Sequence, residues 1–191
     1  MVRAVFLDRD GTLNDNDGYV CSPEEMRLFP FSAEAVSLLN GAGFLVLLVT
    51  NQSGIARGYF TEETLSLIHG RLSQELAARG ARLDGIYHCS AHPDDNDPCR
   101  KPNPGMVLKA ASDFSLTLPE CFLVGDKLSD LKTAWAAGST ALLVLTGEGR
   151  KTLADLTGEE REKSLVFDTL LDAARWICRR GAVPLKAGEN P

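Results

Sequence analysis

Six carboxylate or carboxamide side chains follow a short apolar stretch within ten residues, in the segment FLDRDGTLNDNDGY (6–19). Asp8 and Asp10 come where the apolar stretch ends. A carboxylate aimed at phosphorus can act as a nucleophile, and a second one nearby can exchange protons with a leaving group and with water. The segment is also compatible with a calcium loop or with a phosphorylatable aspartate, so the rest of the chain must decide between these interpretations.

Other polar residues follow later apolar stretches and can reach the same place. Thr50 and Asn51 end a second apolar stretch, Asp126 ends another, and Lys101 lies in a loop. Gathering Asp8, Asp10 and Asp126 within about 4 Å costs roughly 1 kcal/mol per pair in water and nearer 4 at an effective dielectric constant of about 20. A cation is therefore required, and an all-oxygen site open to water and phosphate suits Mg²⁺.

The elements that position these residues alternate between strand and helix. Near-continuous apolar stretches, typical of strands buried on both faces, predict strands over 2–8, 43–51, 85–89, 121–126, 141–147 and 164–168. Helical periodicity predicts helices over 32–42, 61–79, 104–114, 129–137 and 169–180. This order predicts an α/β fold with a doubly wound, Rossmann-like parallel sheet, whose ligand crevice lies outside the carboxyl ends of the strands.

Composition fits a single globular domain, which we expect to span residues 1–180, followed by a flexible tail at 181–191. The chain has 191 residues, 44% of them hydrophobic and 24% charged, and a net charge of −6. This acidic balance argues against a nucleic-acid surface. No apolar run is long enough to cross a bilayer and no signal-peptide layout is visible, so we expect a cytoplasmic, monomeric protein without membrane contact.

Four segments together carry a resemblance that none carries alone: FLDRDGTLN, VTNQSGIARG, CRKPNPGM and VGDKLSDL. They resemble the four motifs of the haloacid dehalogenase (HAD) superfamily, over residues 3 to about 150, and specifically the bacterial heptose 1,7-bisphosphate phosphatases of heptose and lipopolysaccharide biosynthesis. The resemblance implies a magnesium-dependent phosphatase without a large cap domain that acts on a small sugar phosphate through an aspartyl phosphate.

The resemblance also implies roles for individual residues. Asp8 would be the nucleophile and Asp10 the acid and base, while Thr50 and Lys101 would stabilise the phosphoryl group. Mg²⁺ would bind Asp8, Asp126 and the Asp10 carbonyl. The implied substrate contacts come from residues of several loops: Arg9, Asn16, Asp17, Gly18, Tyr19, Asn51, Gln52, Ser53, Arg100 and Lys127.

Other interpretations account for less of the sequence. A calcium loop over 13–24 would have Leu13 as its first ligand, a strand before it and Pro23 where its second helix should begin. A signalling receiver would carry its aspartate after a later strand. TGEGRKT (146–152) lacks the glycine before the lysine that a nucleotide-binding P-loop needs, although it could supply phosphate-binding backbone. Among phosphatases, the alternatives are histidinol-phosphate phosphatase and, less compatible with the acidic charge, a DNA 3′-phosphatase.

A possible zinc site departs from the pattern of the resembling phosphatases. Those proteins often hold zinc with Cys-x-His, five residues, then Cys-x-Cys, a closed tetrahedral set. Here Ala91 and Asp97 occupy the second and third positions. His92 and Asp97 could complete a set with Cys89 and Cys99, but we expect prolines and aspartate turns, rather than tightly held zinc, to shape the loop. The five scattered cysteines do not suggest a disulfide framework.

Overall fold

The computed structural model describes residues 2–15 and 18–181. Its centre is a six-stranded parallel sheet in the order β3-β2-β1-β4-β5-β6. The strands are β1 (Ala4–Leu7), β2 (Leu45–Asn51), β3 (Gly85–Cys89), β4 (Phe122–Gly125), β5 (Thr140–Val144) and β6 (Ser164–Phe167). All six predicted strands are present, and the predicted fold class is confirmed.

Seven helices accompany the described strands. They are α1 (Ser32–Gly41), α2 (Glu62–Ala77), α3 (Gly105–Phe114), α4 (Leu128–Ala137), α5 (Gly149–Asp155), α6 (Gly158–Glu162) and α7 (Leu170–Gly181). The sequence predicted five of them. It missed α5 and α6, which have seven and five residues and are too short for a helical period to stand out.

Both faces of the sheet are covered, which explains why the strands read as uninterrupted apolar stretches. In β1, Val5 and Leu7 join a cluster that includes side chains of α1, α2 and α7, whereas Ala4 and Phe6 join a cluster with α3 and α4. All four are fully buried, and burying a Val, Leu or Phe contributes about 1.5–3 kcal/mol. Among the described helices, none is long and apolar enough to cross a membrane.

The strand order reverses direction beside β1, because β2 lies on one side of it and β4 on the other. Leu7 pairs in register with Leu48 of β2 and with Val124 of β4. The residues that follow these strands therefore emerge together at one edge of the sheet, at the switch point where doubly wound folds bind ligands. Of the predicted tail 181–191, Gly181 ends α7, and residues 182–191, like Asn16 and Asp17, lie outside the described residues. The single-domain boundary stays a prediction.

Gly11 permits the close approach between the loop after β1 and the segments after β4 and β5. Its φ is +87°, and a Cβ there would collide with the Asp126 carboxylate. Gly70 is a matched control, because it lies exposed on α2 and a methyl group added there would have nothing within 4 Å.

We expect Gly11→Ala to lower the free energy of unfolding by at least about 1–2 kcal/mol, since an L side chain is strained at positive φ. Gly70→Ala should raise it by roughly 0.5–1 kcal/mol through helix propensity. Urea unfolding midpoints at an unchanged m-value measure both effects. A Gly11→Ala protein as stable as the parent would contradict this account of the loop.

Candidate active site

Lys101 and Asp8 form a buried ion pair at the centre of the sheet edge. Lys101 Nζ lies 2.8 Å from Asp8 Oδ1, 2.5 Å from Asp130 Oδ1 and 2.9 Å from the Val49 carbonyl oxygen. Burial alone would lower the pKa of Lys101, but the attraction of Asp130 and Asp8 outweighs it and raises the pKa. The ammonium group therefore stays charged beside the predicted nucleophile.

Asn51 fixes the loop that carries Lys101. Its side-chain amide donates to the Lys101 carbonyl and accepts from the Lys101 amide, both at 3.0 Å. The side chain at the end of β2 thus pairs with the backbone fifty residues later, as a neighbouring strand would. Asn51 acts on Lys101 in this structure, and the substrate contact that the resemblance implies stays a prediction.

Four hydrogen bonds hold the Asp10 carboxylate. Arg9 Nε and Nη2 donate to its two oxygens at 3.0 and 2.8 Å. Asn14 donates to Oδ1 at 3.1 Å and Gln52 to Oδ2 at 3.0 Å. Gln52 Nε2 is also 2.8 Å from Thr50 Oγ1. Because that contact uses a lone pair of the Thr50 hydroxyl, the hydroxyl hydrogen is free to point at a phosphoryl oxygen.

Three buried carboxylates make a candidate metal centre. Asp8, Asp126 and Asp130 each offer an oxygen, and these atoms lie within 4.8 Å of one another. Burial, followed by repulsion from Asp8 and Asp130, raises the pKa of Asp126 to about 8. Asp126 Oδ1 is buried without a hydrogen-bond partner among the described residues. Such an orphaned carboxylate oxygen in an oxygen-rich cluster fits a hard divalent cation.

The segment after β5 holds Asp126 in place. The Glu148 amide donates to Asp126 Oδ2 and the Thr152 hydroxyl donates to the Asp126 carbonyl, both at 2.8 Å. Thr146 Oγ1 donates to the Gly11 carbonyl at 2.6 Å. The segment that resembles a P-loop therefore directs a backbone amide toward a carboxylate of this site. This contact gives the segment a structural role that does not involve a nucleotide.

Asp130 is the site residue that the sequence analysis missed. It lies in the first turn of α4, accepts from the Lys127 amide at 3.0 Å and is fully buried. A methyl group on Gly125 would collide with its side chain. The signal was present in VGDKLSDL, because an aspartate three residues after the residue that precedes a helix is at a capping position. Nothing in that spacing shows the partner Lys101.

Comparison with known proteins identifies the family of this chain. Residues 98–173 match the HAD-hydrolase-like family. D-glycero-beta-D-manno-heptose-1,7-bisphosphate 7-phosphatase of Neisseria meningitidis is 41% identical over 184 residues, which cover 96% of this chain and 98% of that protein. The chain belongs to the HAD superfamily of phosphatases. The same-named enzyme of Bordetella bronchiseptica is 45% identical over 154 residues, covering 80% of this chain and 86% of that protein.

Two solved structures support the assignment of this chain to the HAD superfamily. The D,D-heptose 1.7-bisphosphate phosphatase of B. bronchiseptica, crystallised with magnesium and phosphate, superposes with a TM-score of 0.86 at 40% identity and covers 94% of this chain and 99% of that one. The D,D-heptose 1,7-bisphosphate phosphatase of Burkholderia thailandensis superposes with a TM-score of 0.70 at 36% identity, covering 91% and 96%.

The predicted substrate-binding residues of this HAD phosphatase differ in how far they are buried. Tyr19 is 43% exposed; its hydroxyl lies 3.3 Å from Ser53 Oγ, and its ring meets that of Tyr59 edge-on at 5.1 Å. Gly18 is also exposed. Half-buried Arg100 donates to the Ala91 carbonyl at 3.2 Å. Arg9 and Gln52, in contrast, are buried against Asp10.

Lys127 lies between the carboxylate cluster and solvent. Its Nζ is 3.3 Å from Glu148 Oε1, and its side chain is 41% exposed. Burial lowers its pKa, but the attraction of Asp8 and Asp126 outweighs that effect and raises the pKa. The structure therefore provides a charged ammonium group near the predicted nucleophile, as a phosphate-binding residue requires.

The loop of the zinc candidates is closed by internal hydrogen bonds. Asp97 Oδ1 accepts from the Cys99 amide at 2.7 Å and lies 3.9 Å from Cys89 Sγ. His92 Nδ1 accepts from the Asp94 amide at 3.4 Å, and Asp95 accepts from the His92 amide at 2.9 Å. These turns match the expected loop shape. Among the described residues, these candidates do not form a group with metal-ligand spacing.

Magnesium binding should depend on pH through Asp126. Burial, followed by repulsion from Asp8 and Asp130, raises the pKa of Asp126 in the folded protein to about 8, whereas the pKa of an unfolded aspartate is near 4. The folded state therefore binds more protons in this window, and its stability should fall as the pH rises, by at most about 1.4 kcal/mol per pH unit. Mg²⁺ must displace the Asp126 proton in order to bind. The increase in the Tm of the protein on adding Mg²⁺ should therefore be larger at pH 8 than at pH 5.5. Asp126→Asn, the control, should lose this difference, and equal gains at both pH values in the parent would refute the role of Asp126.

Zinc should be substoichiometric in protein purified without added zinc. Asp97 already accepts a backbone hydrogen bond, and two thiolates alone cannot close a tetrahedral shell. Metal analysis before and after chelation, followed by circular dichroism, measures this. One tightly held equivalent per chain would overturn the prediction, whereas metal that a chelator removes without loss of fold would support it.

Proposed function

We propose that this HAD phosphatase removes the C7 phosphate of D-glycero-D-manno-heptose 1,7-bisphosphate in a Mg²⁺-dependent reaction. The observation that carries the chemistry is the buried Asp8–Lys101 pair together with the Asp10 carboxylate that Arg9 binds. The sugar is inferred from relatives of about 40% identity that align over nearly the whole chain. A cytoplasmic, monomeric enzyme without a nucleic-acid partner remains our expectation.

Asp8 is the nucleophile of the proposed reaction. One of its carboxylate oxygens attacks phosphorus, and the bond between phosphorus and the sugar oxygen breaks as the new bond forms. Lys101 and Thr50 donate to the phosphoryl oxygens, whose charge needs fixed donors. Asp8, Asp126 and the Asp10 main-chain carbonyl would hold Mg²⁺, with Asp130 beside them. When bound, the ion would neutralise the carboxylates and draw charge from the phosphoryl group.

Asp10 moves the protons of both steps. In its acid form it gives a proton to the departing sugar oxygen, which leaves as a hydroxyl. The resulting Asp10 carboxylate then takes a proton from the water that attacks the aspartyl phosphate, releasing phosphate and restoring Asp8. Its side chain is 15% exposed, which keeps it within reach of solvent on one side.

A phosphate-release screen with variants tests this proposal. The parent should prefer the heptose bisphosphate by kcat/KM over histidinol phosphate and other sugar phosphates, and chelation should abolish release. Asp8→Asn should lower kcat on the order of 10³-fold or more, because an amide is a poor nucleophile. Asp10→Asn should also lose turnover while still forming some aspartyl phosphate.

Asp155→Asn is a matched control, because Asp155 is exposed at the end of α5. It should leave kcat unchanged. Near-normal release by Asp8→Asn would sink the nucleophile assignment, and a higher kcat/KM for histidinol phosphate would replace the proposed substrate. Chelation without effect would remove the metal from the proposal.

A further inference from the structure

Arg9 is a buried cation in the loop that carries two of the proposed catalytic carboxylates. Its side chain is 1% exposed and is among the largest fully buried side chains of the described chain. A guanidinium group removed from water needs a partner of opposite charge, since an unpaired buried charge is strongly unfavourable. Asp10, the next residue, supplies that charge at 2.8 Å.

The contact between Arg9 and Asp10 fixes an orientation as well as a distance. Nε and Nη2 donate to Oδ1 and Oδ2 as a fork, at 3.0 and 2.8 Å. Two parallel hydrogen bonds set the plane of a carboxylate, which a single point charge cannot do. The Arg9 carbonyl in turn accepts from the amides of residues 12, 13 and 14 at 2.9–3.3 Å, so the backbone that carries the fork is itself held.

The other edge of the guanidinium group meets His69 of α2. Arg9 Nη1 lies 3.5 Å from His69 Nε2. Because arginine can only donate, this contact is a hydrogen bond when His69 presents an unprotonated Nε2. Burial, then the nearby charges of Arg9 and His88, lower the pKa of His69 to about 3, which keeps the ring neutral and able to accept. The His69 ring also lies 5.8 Å from that of His88.

This arrangement leaves little of Arg9 for a substrate. Its Nε and Nη2 donate to Asp10, its Nη1 faces His69, and 1% of its side chain is exposed. The substrate contact that the resemblance implies would require the guanidinium group to leave Asp10. Arg100 and Lys127 are more accessible cations near the same edge.

We propose that Arg9 and His69 are positioning residues: Arg9 holds the Asp10 carboxylate in the orientation for proton transfer, and His69 holds Arg9. This inference rests on the proposed function, in which Asp10 is the acid and base. It assigns a part in the reaction to a helix residue, His69, that lies outside all four motifs of the superfamily.

A leaving-group experiment separates positioning from general structural support. Phenyl phosphate needs a proton on its leaving oxygen, whereas 4-nitrophenyl phosphate releases a stable anion. Arg9→Met should slow first-turnover phenol release from phenyl phosphate by about 10- to 100-fold, as expected for a misplaced acid, and change nitrophenolate release by less than about 3-fold. KM should change little for either substrate.

Further variants keep the proposal testable if Arg9→Met does not fold. Arg9→Lys keeps the charge but cannot form the fork, and His69→Phe removes the acceptor; both should give the same leaving-group pattern with smaller losses. His69→Gln restores an acceptor and should recover most of the rate. Arg71→Met, an exposed residue of α2 paired with Glu75, is the control and should match the parent.

The outcomes separate this inference from the proposed function. If Asp10→Asn shows the leaving-group dependence and the folded Arg9 and His69 variants do not, the positioning role is refuted and the proposed function stands. If Asp10→Asn also lacks it, the acid role in the proposed function fails. A raised KM with unchanged first-turnover rates would return Arg9 to substrate binding, and equal losses on both aryl phosphates would indicate only structural support.

Discussion

Repulsion between buried carboxylates is the constraint on which the site depends. Asp8, Asp126 and Asp130 crowd one edge of the sheet, and like charges about 4 Å apart oppose one another by roughly 4 kcal/mol per pair at an effective dielectric constant of about 20. Lys101 offsets part of this repulsion through two ion pairs. Burial, together with the repulsion from Asp8 and Asp130 that remains, raises the pKa of Asp126.

The fold meets this constraint from both sides of β1. On the β2 side, Asn51 pins the backbone of Lys101, and Gln52 joins Thr50 to Asp10. On the β4 side, the segment after β5 binds the Asp126 side chain and backbone. Lys101, Asp10 and Asp126 are therefore each hydrogen-bonded to a neighbouring element. The parallel sheet brings these elements together at one edge.

The strands and the four motifs could be predicted from the sequence because their signals are local. Apolar stretches showed the buried strands, and residues directly after them, such as Asp8 and Thr50, had to meet at the sheet edge. Side-chain direction within loops was not predictable. Asp130 is paired with a lysine 29 positions earlier, and Arg9 turns toward Asp10 rather than toward open solvent. Short α5 and α6 lacked a usable period.

The three contacts of Lys101 Nζ determine how a phosphoryl group can reach it. An ammonium group has three hydrogens; here Nζ donates to Asp8 Oδ1 and to the Val49 carbonyl, and it forms an ion pair with Asp130. An incoming phosphoryl oxygen can bind Nζ only by replacing one of them. If it replaces Asp8, its arrival removes the cation that holds the electron pair of that carboxylate. Asp8, the proposed nucleophile, would then be restrained before the phosphoryl group binds and released by the group that it attacks.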